Sequence, residues 1–319
     1  MNTEPNAMNE SAIQPQATAP SVSVWRVLYW SIRREVWENR SIYIAPLTAA
    51  AVFLIGFAIH LIMVRTRAAA SHIDLHLNTS HFDPSHMDPS QPQGLLSHYE
   101  LSASLIMGTA FIVGIFYSLE ALYGERRDRS ILFWKSLPVS DLTTVLSKLA
   151  IPIVILPLVG FVVTVATHFI MLAMSSVMLL GSGANIAALW TEVPFFHVSL
   201  VLFYHLLTVH GLYYAPIYGW LLLVSAWAPR APFISALLPP FAICAVEKTA
   251  FNSTYFLTLL EERLMGPGGS MSQHDQAQDF AAALIPHHFF SNPGLWIGLV
   301  VAAAFLAIAV RLRRYRGPI

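Results

Sequence analysis

Histidine and aspartate lie close together in one polar segment of this chain, where they could bind a metal ion. His72 and His76 are four residues apart, with Asp74 between them. Imidazole and carboxylate together suit Zn²⁺ or Cu²⁺. The segment is also rich in proline, including Pro84 and Pro89, and polar tracts of this kind hold no fixed ligand geometry. We therefore predict no metal centre. If a metal ion did bind, His72 and His76 would be its ligands.

Motifs for catalysis and for nucleotide binding are absent from the sequence. It contains no His-Glu-x-x-His, no Gly-x-Ser-x-Gly and no Gly-x-x-x-x-Gly-Lys-Ser/Thr. The single cysteine, Cys244, excludes an intrachain disulfide. An intramembrane enzyme would require His168 or His210 as an essential group, because few ionisable residues fall in the apolar segments. We predict that the chain is not an enzyme and that it holds no cofactor.

The elements that carry these residues are apolar segments long enough to cross a membrane. Hydrophobic residues make up 55% of the chain and charged residues 11%, with a mean hydropathy of +0.57. Soluble cores do not contain repeated uncharged runs of about 20 residues, which is the length that spans a bilayer. The fold class is therefore predicted as an all-α membrane protein. Its six transmembrane helices are expected at 42–64, 101–123, 149–180, 196–227, 231–246 and 295–310.

Basic residues are concentrated on one side of these spans. Of the 18 lysines and arginines, all but Arg65, Arg67, Lys248 and Arg263 fall on the side of the N-terminus. This bias predicts a multi-pass protein of a bacterial inner membrane with both termini in the cytoplasm. Residues 1–20 are predicted to be a disordered cytoplasmic tail, and 65–98 and 249–293 to be external loops. The net charge of zero indicates no nucleic-acid partner.

Residues 21–40 are predicted to form an amphipathic helix ahead of the first span. Apolar side chains recur there at helical spacing, and the charged side chains take other angles. Such a helix lies in the headgroup layer of a bilayer. It is either a passive anchor or a lever that passes motion from a partner to the first span. The apolar residues are Val22, Trp25, Leu28, Tyr29, Ile32 and Val36, and the charged ones are Arg26, Arg33, Arg34 and Glu38.

A second amphipathic segment joins the second and third spans. Glu120 precedes it, residues 125–129 are all charged, and residues 131–134 are all apolar. Pro138 is predicted to stop a short helix, and Ser140 to cap the next one. The segment is interpreted either as a solvated loop with a tryptophan anchor or as a docking surface for a partner that drives movement.

The stretch from Glu120 to Lys148 resembles the cytoplasmic loop of the ABC type-2 permeases. It reads Glu125-Arg-Arg-Asp-Arg-Ser-Ile-Leu-Phe-Trp-Lys-Ser-Leu-Pro-Val-Ser in its central part. The six-span plan over 25–316 is also similar to that family, although the external segment 65–98 is longer and richer in histidine than the family plan requires. The resemblance implies a permease subunit of an ATP-driven exporter that works by alternating access. Its implied partners are the lipid bilayer, a second permease copy and separate ATPase subunits that bind ATP and Mg²⁺.

Carried over by position, the resemblance divides the chain into functional parts. Residues 21–40 would be the connecting helix, 41–319 the transmembrane domain and 124–148 the coupling loop that contacts the ATPase. The ATPase-coupling residues would be Glu120, Glu125, Arg126, Arg127, Asp128, Arg129, Trp134, Lys135 and Pro138. The connecting-helix residues would be Trp25, Arg33, Arg34 and Glu38.

Polar and small residues line one face of the third span and one face of the fourth. These stripes either line a substrate path or form the close contact between helices that small residues allow. The residues predicted for a pathway or dimer face are His168, Tyr204, Thr208, His210, Gly211, Tyr214 and Tyr218. The alternative function is a membrane-anchored metal-handling or maturation protein that uses its His-rich external loops. Deletion of 72–98 would abolish that function but leave an exporter active.

Overall fold

The computed structural model describes residues 23–71, 93–136, 139–180, 190, 195–265 and 289–319. Every regular element in these ranges is helical, and five helices are long and apolar enough to cross a membrane. A bent helix pair adds a sixth such span when its two halves are counted together. The predicted tail at 1–20 lies outside the described residues, as do Pro138, His72 and His76.

The first three helices are α1 (Val24–Glu38), α2 (Ser41–Ser71) and α3 (Gln93–Ala121). Only Asn39 and Arg40 separate α1 from α2, so α1 lies at one end of the bundle. The helices α2 and α3 extend well beyond the predicted spans and into the predicted external loop, because their polar end residues continue the helical hydrogen bonding.

Three short helices follow at the same end of the bundle as α1. They are α4 (Tyr123–Arg127), α5 (Ser130–Ser136) and α6 (Asp141–Ala150). The chain turns between α4 and α5 at Arg129, whose φ of 59° lies in the left-handed region that L-residues rarely adopt. The predicted cap of α6 is confirmed, since the Ser140 hydroxyl accepts a hydrogen bond from the Thr143 N–H at 3.0 Å.

The third and fourth spans contain segments of π-helix. The third consists of α6, π1 (Ile151–Ile155) and α7 (Leu156–Leu179). The fourth consists of α8 (Phe195–His205), π2 (Leu206–Tyr213) and α9 (Ala215–Trp227), and it bends by 45° between Tyr213 and Ala215. Pro216, the second residue of α9, is unable to continue the hydrogen bonding of the preceding turn.

The last part of the chain forms a hairpin and a long final helix. The hairpin is made by α10 (Pro232–Val246), π3 (Glu247–Phe251) and α11 (Tyr255–Met265). Pro239 and Pro240 lie inside α10, which is nevertheless continuous. A short 3₁₀ turn at Phe289–Ser291 then leads into α12 (Pro293–Tyr315).

Two groups of buried side chains hold these helices together. One group surrounds Ile42, Tyr117 and Leu222 and joins α2, α3, α6, α9 and α12. The other surrounds Val209, Tyr218 and Leu295 and joins the fourth span to α3, α10 and α12. In contrast, the outward faces of α2 and α10 are exposed and apolar, which is the pattern of helices that face lipid.

Candidate functional site

Four buried acidic and basic side chains and a fifth that is partly buried form a continuous network at the end of the bundle that holds α1. We call it the ion network, and call this end of the molecule the charged end. Four of the side chains are only 4–8% exposed, and Asp141 is 26% exposed. Charges of opposite sign alternate along it, from Glu35 to Lys148, Glu125, Arg313 and Asp141. Buried charges that lack a partner are very costly, so this alternation is what permits the burial.

Glu35 connects α1 to the rest of the bundle. Its Oε1 atom accepts hydrogen bonds from Lys148 Nζ and Arg34 Nη2, both at 2.9 Å, and its Oε2 atom accepts one from the Tyr117 hydroxyl at 2.8 Å. Burial raises the pKa of the Glu35 carboxyl, but the charge of Lys148 and the hydrogen bonds from Lys148 and Tyr117 outweigh burial and hold that pKa below its ordinary value of 4.5. The helix α1 is therefore joined to α3 and α6 by a carboxylate that stays ionised at neutral pH.

Glu125 and Arg313 extend the network to α4 and α12. Glu125 Oε2 accepts a hydrogen bond from Arg313 Nη2 at 2.9 Å. Its other oxygen lies 3.1 Å from Lys148 Nζ, which is an ion-pair distance without hydrogen-bond alignment. Arg313 Nη1 donates to Asp141 Oδ1 at 2.6 Å, in the first turn of α6. One basic residue of α12 is thus shared by the short helix α4 and the start of the third span.

Arg126 is buried beside the network and binds backbone carbonyls instead of carboxylates. Its Nη1 atom donates to the carbonyl oxygens of Ala226 at 2.8 Å and Ala228 at 3.2 Å, at the end of α9. The backbone of Arg126 also accepts a hydrogen bond from the Ile319 N–H at 3.2 Å, after the end of α12. Arg126 therefore anchors α4 to the fourth and sixth spans.

The charged segment predicted as one surface is divided by the structure. Glu125 and Arg126 point inward, whereas Arg127, Asp128 and Arg129 are exposed. On α5, Leu132 and Phe133 are 57% and 60% exposed. We call Arg127, Asp128, Arg129, Leu132 and Phe133 the loop tip. Exposed aromatic and aliphatic side chains beside charges are typical of a protein-binding surface.

Four other predicted coupling residues lie around the loop tip or outside the structure. Glu120 forms an exposed ion pair with Arg127 at 2.9 Å. The Lys135 ammonium donates to the carbonyl oxygens of Arg314 and Arg316, at 3.3 and 3.1 Å. The Arg34 guanidinium lies over the Trp134 ring, with the Arg34 Cζ atom 3.6 Å from the ring centroid, and this contact joins α5 to α1. Pro138 lies outside the described residues.

The predicted connecting-helix residues point away from the helix bundle, apart from Arg34. Trp25 is 79% exposed and the Glu38 side chain 56% exposed, and the Arg33 guanidinium lies over the rings of Trp30 and Trp37. Arg34 pairs with Glu35 and with Glu38. The face of α1 that packs on the bundle instead carries Ile32, Glu35 and Val36.

Sequence reasoning missed Glu35, Asp141 and Arg313 as parts of a site, although a signal for two of them was present. Glu35 follows Ile32 by three residues and precedes Val36, so it lies within the apolar face of α1. Arg313 follows Ala309 by four residues on the buried face of α12. A charge inside an apolar stripe requires a partner, and two such charges of opposite sign on different helices predict a shared network. For Asp141, the sequence predicted only that it follows a capping serine at the start of a helix.

The histidines and tyrosines predicted for a pathway are packed inside this single chain. His168 Nε2 lies 3.0 Å from the Tyr99 carbonyl and 3.1 Å from the Ser102 hydroxyl, and that hydroxyl donates to the same carbonyl at 2.8 Å. His168 must therefore donate from Nε2, so it does not take a proton from Ser102. Thr208, His210, Tyr214 and Tyr218 are buried, and Tyr204 and Gly211 are half-buried.

The π2 segment changes how the predicted stripe of the fourth span is arranged. A single face at the α-helical repeat was assumed from Tyr204 to Tyr218, but π2 hydrogen-bonds from residue i to i+5 and interrupts that repeat. His205 and His210 consequently come together, with their ring centroids 5.7 Å apart. Among the residues that the structure describes, no three His, Cys, Asp or Glu side chains are placed to hold a metal ion.

The lowered pKa of Glu35 predicts a stability change in acid. The stabilisation from its ionised form is present above about pH 4.5 and is lost as pH falls through the lower pKa of the folded state. We expect the wild-type chain to be more stable than Glu35→Gln at neutral pH, with a difference that shrinks as pH falls below about 4.5. Denaturant unfolding of both proteins in detergent measures this difference. A difference that stays constant across the range would contradict the prediction.

Comparison with known proteins gives no relative: no family model, no curated protein and no solved structure matches this chain.

Proposed function

We propose that this chain is the transmembrane permease subunit of an ATP-driven ABC type-2 exporter. In this proposal two permease copies assemble in a bacterial inner membrane, with both termini of each copy in the cytoplasm. The charged end then faces the cytoplasm, and a separate ATPase that binds ATP and Mg²⁺ docks there. The chain itself contributes no phosphate-binding loop, since none is present in its sequence.

The observation that carries the proposal is the position of the ion network directly behind the loop tip. The network joins α1, α4, α6 and α12 through acidic and basic side chains that are 2.6–3.1 Å apart, and the loop tip leaves charged and apolar side chains exposed. A partner that pushes on α4 and α5 would therefore move the cytoplasmic ends of several spans together. An anchored but solvated loop would not require this buried network.

Force from the loop tip has two structural routes into the spans. Glu125 passes it to α12 through Arg313 and to the third span through Lys148. Arg126 passes it to the end of α9 through the carbonyls of Ala226 and Ala228. Because these groups are buried and joined by ion pairs or hydrogen bonds, the charged end should move as a rigid body, and the membrane-embedded parts of the two copies would rock about their interface.

The test is purification of the full chain from its native membrane in mild detergent, with the co-purifying proteins identified and ATP hydrolysis assayed. The proposal expects a stoichiometric partner that carries a phosphate-binding loop. Chains with substitutions in the loop tip should lose that partner and still insert in the membrane. A pure preparation without an ATPase, from membranes in which the chain is abundant, would overturn the proposal.

A further inference from the structure

Within the described residues, the hairpin formed by α10, π3 and α11 contacts the other helices near the start of α10, through Phe233 and Ala236, and near the end of α11, at a point far from the ion network. That point is Arg263, near the end of α11. It reaches Gly294 in the first turn of α12, and 19 residues separate Gly294 from Arg313 of the ion network. At about 1.5 Å per helical residue the two sites are about 29 Å apart, close to the thickness of a bilayer core. The hairpin contact is therefore at the opposite end of the bundle from the loop tip.

Arg263 holds two helix ends at once. Its Nη1 atom donates to the Tyr213 carbonyl at 3.1 Å, at the last residue of π2, and its Nη2 atom donates to the Gly294 carbonyl. The guanidinium also lies 4.3 Å from the centroid of the Tyr213 ring. The hydroxyls of Tyr213 and Tyr214 donate back to the carbonyls of Glu262 and Leu264. Together these contacts hold α11 over the junction between the fourth and sixth spans.

The hairpin is internally rigid. The Glu247 carboxylate accepts hydrogen bonds from the Ser253 hydroxyl and from the backbone N–H groups of Tyr255 and Phe256, at 2.7–2.9 Å. These bonds cap the start of α11 and fix the tight turn in which Asn252 has a φ of 48°. The two helices α10 and α11 should consequently move together.

The hairpin is packed loosely against the other helices. Ala236 is the only buried residue of α10, and on α11 Tyr255 is 83% exposed. Because the exposed face of α10 is apolar and faces lipid, movement of the hairpin away from the other described helices is opposed by the few contacts that it makes with them. The Arg263 contacts fit this picture, since in the described part of the chain no carboxylate lies at ion-pair distance from Arg263, and carbonyls and an aromatic ring hold it instead. Such contacts are weaker than the paired charges of the ion network.

We propose that the α10–α11 hairpin is a gate over the place where the bend of the fourth span meets the first turn of the sixth, and that Arg263 is its latch. Release of Arg263 frees the end of π2 and the start of α12, which adjoin the bend after Tyr213. The buried cluster behind the latch, which includes Val209, Tyr214 and Leu295, then becomes accessible. That the gate opens an exit path rests on the proposed function. Its opening is a property of this chain alone and is measured without an ATPase.

Gly298 provides a way to release the latch without changing its charge. A methyl group added to Gly298 would overlap the Arg263 guanidinium, so Gly298→Ala should displace it. Gly108→Ala is the matched control, because a methyl group there would meet no atom within 4 Å. For the charge, Arg263→Gln removes the latch, and Lys248→Gln removes an exposed positive charge from the same hairpin.

The experiment measures thiol labelling of the full chain, reconstituted in vesicles, by a membrane-impermeant maleimide. The native thiol is removed as Cys244→Ser, and Val209→Cys, at a position only 1% exposed, is the reporter. We expect Arg263→Gln and Gly298→Ala each to raise the labelling rate about tenfold or more, and the two controls to leave it unchanged. A second reporter, Val145→Cys, lies buried at the charged end and should stay unlabelled.

Two results would overturn the latch. One is an unchanged labelling rate at Val209→Cys in both latch variants. The other is an equal rise at Val145→Cys, which would mean that the whole fold had loosened. If the latch proposal is overturned, the expected co-purification of an ATPase is not affected. Conversely, a chain that binds no ATPase but shows latch-dependent labelling would disprove the exporter and keep the gate.

Discussion

Lys148→Met is expected to destabilise the folded chain by about 3–5 kcal/mol, because it removes the cation between two buried carboxylates. Glu35 would keep only its weaker contacts with Arg34 and Tyr117. Glu125 would keep only its pairing with Arg313. Neither carboxylate can move to water without separating α1 or α4 from the bundle. Unfolding of the purified chain in detergent, followed as a function of denaturant, measures the loss.

The control for this prediction is Lys135→Met. Lys135 is exposed and its ammonium binds two backbone carbonyls, so its loss should cost no more than about 1 kcal/mol. Adding Glu35→Gln to Lys148→Met should recover part of the stability, because one uncompensated charge is then gone. If Lys148→Met cost no more than Lys135→Met, the ion network would not be what holds the charged end together.

If the proposed ATPase docks at the loop tip, Phe133→Asp is expected to lower its capture about tenfold or more and to abolish the proposed ATP-dependent transport. Phe133 is 60% exposed on α5, so the substitution does not disturb a core, and large aromatic side chains carry much of the energy of protein interfaces. A carboxylate in that position would have to be desolvated on binding without a partner. Co-purification with the ATPase, at matched amounts of inserted chain, measures the effect.

The conservative control at the same position is Phe133→Leu, which keeps an apolar side chain and should retain most of the capture. Reversal of the exposed charges at Arg127 and Arg129 is expected to act in the same direction. Arg126 does not belong in that variant, because its guanidinium is buried against the carbonyls of α9 and its reversal would damage the fold. Normal capture by Phe133→Asp would exclude the loop tip as the ATPase contact.

Local sequence features determined much of this fold. The hydropathy of each apolar run is a property of about 20 adjacent residues. Most of the span ends were therefore placed correctly to within a few residues. The cap at Ser140 was read correctly for the same reason, since an N-cap involves residues only three apart. The boundaries failed where polar residues extend a helix, as at the end of α2.

Tertiary structure alone decided which charged side chains are buried and which residues they pair with. Glu35 and Lys148 are 113 residues apart, and Glu125 and Arg313 are 188 residues apart, so their pairing depends on how whole helices are placed. The sequence presented Glu125, Arg126 and Arg127 as one charged run, yet the first two point inward and the third outward.

The same limit applies to π2 and to the Arg263 latch. A change from α- to π-helix alters which side chains share a face, and the residue types in 206–213 do not predict that change. Arg263 was assigned to an external loop because charge bias places whole segments on one side of a membrane. Its contacts with Tyr213 and Gly294 depend on the packing of three separate helices. Sequence therefore determined where the chain crosses the membrane, because hydropathy is local and additive. Only the tertiary structure decided which polar groups meet, because the cost of burying each one is offset by partners far away in the chain.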